Sequence, residues 1–187
     1  NRLCVLKSTP TEHPALLLDF GKELQGGLQL VTGMPPSHDP VSVRVRFGES
    51  VSEAMCEIDG ANGASNDHAM RDFVVSLPWL GVQEIGNSGF RFVRIDVLGD
   101  STELQLKEVR AISTFRDIPY LGSFRCNDER LNRIWKTGAY TVHLNMQEYL
   151  WDGVKRDRLV WVGDLNAEEL TVSTGFGNNE RVPKRLD

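Results

Sequence analysis

The densest chemistry in the sequence lies in one run, Trp151-Asp152-Gly153-Val154-Lys155-Arg156-Asp157-Arg158-Leu159-Val160-Trp161-Val162-Gly163-Asp164, where three carboxylates, three bases and two tryptophans fall within fourteen positions. Carboxylates and arginines hydrogen-bond hydroxyl groups, indole faces stack on the apolar faces of a pyranose, and one protonated carboxyl can donate to a departing oxygen. The same composition also fits a loop between helices with solvated charges and core tryptophans, because charge runs are usually surface. Residue types alone leave both readings standing.

Other chemistry is harder to assemble. His13, His38, His68 and His143 are scattered, and His143, inside a helical pattern, reads as a satisfied surface or core histidine rather than a ligand. Cys4, Cys56 and Cys126 are odd in number and far apart, which fits neither a disulfide framework nor a zinc site. No metal site and no cofactor are therefore expected. Ser88 and Ser123 lack a local base or elbow motif. Gly21-Lys22-Glu23-Leu24-Gln25-Gly26-Gly27 lacks the Gly-Lys-Ser/Thr ending of a phosphate loop and reads as a turn between strands.

The 187 residues are 40% hydrophobic and 25% charged, ordinary material for a folded core, and the net charge of −5 argues against a nucleic-acid partner. No apolar run approaches the roughly 20 residues that span a bilayer, so no membrane partner is expected. Asn1-Arg2-Leu3-Cys4 carries neither an initiator Met nor a signal peptide, and reads as a cut start.

The elements that must position the site change character along the chain. Val41-Ser42-Val43-Arg44-Val45-Arg46-Phe47 alternates strictly, which predicts a half-buried strand with Val41, Val43, Val45 and Phe47 inward. Less regular runs at Ala15–Phe20, Leu24–Val31, Arg71–Leu77, Phe90–Val97 and Glu103–Ile112 are separated by turn clusters such as Thr32-Gly33-Met34-Pro35-Pro36 and Gly86-Asn87-Ser88-Gly89. Together they predict an antiparallel β-sandwich. The polar, small-residue stretch Glu53–Asp67 reads as a long surface loop.

At Asn127 the period switches. Asn127 reads as a cap, and Leu131, Trp135, Gly138, Val142, Met146 and Tyr149 recur at spacings of three and four, predicting an amphipathic helix to about Leu150 and a second one from about Asn166. The fold class is thus mainly β with a helical C-terminal segment. Two apolar helix faces with little chain left to cover them invite self-association or weak order.

Five pieces occur in one order: Leu17-Leu18-Asp19-Phe20-Gly21-Lys22-Glu23-Leu24-Gln25-Gly26-Gly27, Val45-Arg46-Phe47-Gly48-Glu49, Gly89-Phe90-Arg91-Phe92-Val93-Arg94-Ile95, Gly122-Ser123-Phe124, and the Asp152–Asp164 segment. In that order they resemble the bacterial α-L-rhamnosidases of glycoside hydrolase family 78. The resemblance implies a concanavalin-like β-sandwich over 1–121 and the first helices of an incomplete (α/α)6 barrel over 122–187. It also implies a parent enzyme that inverts terminal α-L-rhamnosides, rhamnosylated glycosides as partners, and a periplasmic or extracellular location. The family's motif reads Asp-Cys-Pro-x-Arg-Asp-Glu-Arg-Leu-Gly-Trp-x-Gly-Asp, with its Glu the general acid; here one residue fewer separates Asp152 from Trp161. Aligned from the right, Asp157 inherits the acid role. Aligned from the left, Arg158 falls there and could not serve, because a guanidinium stays protonated. Asp152, Arg156, Trp161 and Asp164 match the remaining motif positions and are expected to bind the sugar or orient the acid. The alternative is a non-catalytic β-sandwich module that braces the barrel or binds carbohydrate.

Overall fold

A computed structural model describes residues 3–58 and 71–177. The chain divides into two compact units, Asn1–Ser113 and Thr114–Asp187.

The first unit holds strands β1 (Cys4–Lys7), β2 (Ala15–Thr32), β3 (Val41–Gly48), β4 (Asp72–Leu77), β5 (Val82–Val97) and β6 (Glu103–Ser113), with a short helix α1 (Val51–Met55) after β3. All pairings are antiparallel, in the order β1-β6-β2-β5-β3-β4. The two long strands carry the architecture. The first part of β2 pairs with the end of β5, which also pairs with β3, whereas the last part of β2 pairs with the start of β5 and with β6. One hydrogen-bonded sheet thereby supplies both walls of the core.

That core follows the period of two. Val41, Val43, Val45 and Phe47 are buried as the alternation predicts, and they join Leu28 and Leu30 of β2, Val93, Ile95 and Val97 of β5, and Leu104 and Leu106 of β6 in one cluster. Phe47 meets Phe90 edge-on at 5.0 Å and Phe73 at 6.0 Å, the favoured arrangement for ring quadrupoles. The opposite face of β3 is charged but not solvated throughout. Arg46 is only 3% exposed and donates to Asp96 at 2.9 Å and Glu57 at 3.0 Å, while Arg44 forks onto Asp72. Paired guanidinium groups tolerate such burial where lone charges would not.

Several expectations need correction. Gly21–Gly27 is not a turn but part of β2, where register shifts between Asp19 and Leu24 and between Gly26 and Leu28 mark bulges. Glycine is required there by close approach: a Cβ on Gly26 would lie 2.0 Å from the Ile112 carbonyl oxygen. Gly86–Gly89 likewise lies within β5. β1 was not foreseen, and the stretch read as a loop from Glu53 begins inside α1, whose N-cap Ser50 accepts from Glu53 N–H. The rest of that stretch beyond residue 58 lies outside the described residues.

The second unit contains α2 (Glu129–Asn145) and α3 (Val162–Gly175). The cap of α2 is Asp128, whose carboxylate accepts from Arg130 N–H, not Asn127. The helix stops at Asn145, short of Leu150, because the chain folds back there and Trp151 N–H donates to the Asn145 carbonyl. Its buried face is also rotated from the expected stripe. Asn132, Ala139, His143 and Met146 are buried, while Leu131 is 47% exposed. Asn132 can occupy an inward position because its amide is satisfied by both backbone groups of Cys126. The core of this unit is Ile118, Met146, Leu150, Val172 and Phe176.

Candidate functional site

The run singled out in the sequence takes up the later part of the connection between α2 and α3 and enters the first turn of α3. Asp152 closes it: its Oδ1 accepts from Gly153 N–H at 2.9 Å and from Leu159 N–H at 2.8 Å, and its own N–H donates to the Leu159 carbonyl at 2.9 Å. A short aspartate side chain suits this, since it can satisfy backbone donors that a loop leaves open. Between those anchors the chain reverses through Asp157 and Arg158, both left-handed at φ +64° and +54°. Asp157 sits 3.7 Å from the Nε of exposed Arg156. Trp161 precedes the first residue of α3 and is 53% exposed, so its indole is open to a flat apolar ring face. Trp151 is half-buried, and its ring is covered by the Arg158 guanidinium 5.3 Å away.

Asp164 lies in the first turn of α3, where the positive end of the helix favours a carboxylate. One turn further on stands Glu168, a residue the sequence reading passed over. Burial pushes its carboxyl up to about 7, and the charges of Asp164 and Asp152 push in the same direction. The signal was available in the i, i+4 spacing of Asp164 and Glu168. The structure therefore brings Asp152, Asp164 and Glu168 into one electrostatic neighbourhood and keeps Asp157 with Arg156. Among the described residues no group of three His, Cys, Asp or Glu side chains is placed to hold a metal ion.

The raised Glu168 carboxyl has a consequence for stability. Its folded-state value near 7 exceeds the ordinary 4.5, so folding favours the protonated form and stability falls as pH rises through that window. Glu168→Gln should leave the melting temperature unchanged near pH 4.5 and raise it relative to the parent sequence at pH 8. Equal shifts at both pH values, read by thermal melts, would rule the coupling out.

His143 is a satisfied core histidine. Its Nε2 donates to the Arg116 carbonyl at 2.8 Å, which leaves Nδ1 to accept from the Tyr120 hydroxyl at 3.0 Å. The rings of Phe115, Tyr120 and Phe176 surround it, and burial lowers its pKa.

Comparison with known proteins finds the following similarities. Residues 119–187 match the bacterial alpha-L-rhamnosidase 6 hairpin glycosidase domain. An alpha-L-rhamnosidase of Formosa agariphila is 30% identical over 79 residues, 42% of this chain and 8% of that protein. A Klebsiella oxytoca rhamnosidase solved with rhamnose bound shares the fold at a TM-score of 0.77 and 22% identity, over 92% of this chain and 34% of that one. The alpha-L-rhamnosidase of Aspergillus terreus gives 0.57 at 24% identity, over 88% of this chain and 18% of its own. This chain thus spans a minor part of each relative's length.

Proposed function

We propose that this chain is part of a bacterial α-L-rhamnosidase, with part of the six-hairpin glycosidase domain at residues 119–187, and that its parent protein hydrolyses terminal α-L-rhamnosides with inversion. The observation that carries this reading is that the matched segment contains Asp152, Arg156, Asp157, Trp161 and Asp164 together, in a loop closed by Asp152 and leading into α3. In the proposal Asp157 protonates the departing oxygen, the exposed Trp161 indole stacks on the rhamnosyl ring, and Asp152, Arg156 and Asp164 bind hydroxyls or orient the acid. The division between the β-sandwich domain and the catalytic domain falls at about residue 121 in the same reading.

Inversion needs a second carboxylate, roughly 6.5–9.5 Å from the acid, to activate water on the opposite face of the ring. The resembled family supplies that base from a later part of the barrel. The 187-residue chain alone is therefore expected to be inactive, and its sandwich to act as a brace for the barrel. Following an aryl α-L-rhamnoside by proton NMR with the full-length protein should show β-rhamnose first, before mutarotation. Appearance of the α-anomer first, or turnover by the 187-residue chain itself, would defeat this mechanism.

A further inference from the structure

Consecutive left-handed residues without glycine are uncommon, and each carries a strain that the surroundings must offset. Asp157 belongs to the residue types that tolerate the conformation, because a short polar side chain can bond locally. Arg158 has no such excuse, so its own φ of +54° must be held from outside. The structure shows what holds it. The Arg158 side chain turns back into its own loop, donating from Nε to the Val154 carbonyl at 3.0 Å, and its guanidinium caps the Trp151 ring at 5.3 Å. Its backbone N–H donates to the Arg156 carbonyl at 2.8 Å, and the next residue, Leu159, is tied at both backbone groups to Asp152.

Resting on the function proposed above, we propose that Arg158 is a positioning residue for Asp157: its guanidinium, seated between the Val154 carbonyl and the Trp151 ring, holds the left-handed pair that aims the Asp157 carboxyl. The left-hand alignment of the motif set Arg158 aside because it cannot donate a proton; the geometry gives it a different task. A planar group with a fixed fork suits this seat, since it can stack and donate at once, which an ammonium cannot. Burial of the guanidinium lowers its pKa, yet it remains a cation at any working pH.

The test uses the full-length protein and two substrates, a rhamnosyl sugar with a poor leaving group and a nitrophenyl rhamnoside with a good one. Misplacing a catalytic group by about 1 Å can cost about 10²-fold. Arg158→Ala should therefore slow the poor-leaving-group substrate by roughly 10–100-fold, the nitrophenyl substrate much less, and leave rhamnose binding unchanged by tryptophan fluorescence. In an Asp157→Asn background the same change should add almost nothing, because no acid remains to be aimed. Arg158→Lys, with its charge kept and its fork lost, should behave like Arg158→Ala. Equal losses on both substrates, full rescue by Lys, or additive losses in the double variant would each overturn the positioning role. An active parent with an unaffected Arg158→Ala overturns it alone; an inactive parent overturns the proposed function and this inference together.

Discussion

Asp157→Asn in the full-length protein should cut hydrolysis of a rhamnoside with an alkoxide-like leaving group by about 10²–10⁴-fold, the usual worth of a positioned general acid. An activated nitrophenyl rhamnoside should suffer much less. Nitrophenolate departs without protonation, whereas a sugar or alkyl oxygen does not, so the difference between substrates isolates proton donation from binding. Loss of binding or misfolding would depress both alike. The structure adds a rival that must be measured beside it. A general acid works best with a pKa near the operating pH, and within this site the carboxyl raised to about 7 is that of Glu168. Asp152→Asn, Asp164→Asn and Glu168→Gln therefore complete the set. Should one of them show the leaving-group asymmetry while Asp157→Asn loses both substrates equally, the acid is that residue and the right-hand alignment of the shortened motif is wrong.

The parts of this chain that were legible in its sequence are those where one physical signal dominates. Strict alternation from Val41 to Phe47 fixes which face is buried, and the four residues it points inward are all buried. Arg46 shows its limit, since the outward face is partly covered and the partners Asp96, Glu57 and the Cys56 carbonyl make that tolerable. Gly21–Gly27 misled because a bulge and a turn ask for the same residues: Gly21 and Gly26 both have positive φ, yet the strand continues through them. The α2 stripe was displaced for a similar reason. Asn132 and His143 look like surface residues, and nothing in their spacing says that Cys126, Arg116 and Tyr120 will satisfy them. The composition of the 151–164 loop pointed to sugar chemistry, but the backbone reversal at Asp157 and Arg158 did not show.

The core offers the second large effect, through a pair of residues from different strands. Phe47→Ala should destabilise the first unit by about 3–5 kcal/mol, lowering its melting temperature by roughly 10–20 °C. The ring is fully buried and flanked by Phe73 and Phe90. Gly86 faces it: a Cβ there would lie 2.8 Å from the Phe47 ring, and its φ is +77°. Gly86→Ala should therefore cost about 1–2 kcal/mol for the left-handed backbone and a further 1–3 kcal/mol, roughly, for forcing the ring. Only the first of these persists once the ring is gone. In the Phe47→Ala background Gly86→Ala should cost just the backbone term, so the double variant is more stable than the sum of the singles by about 1–3 kcal/mol, within the range seen for residues in contact. Urea melts of the parent and the three variants measure this directly. Strict additivity would mean that Phe47 and Gly86 do not pack together.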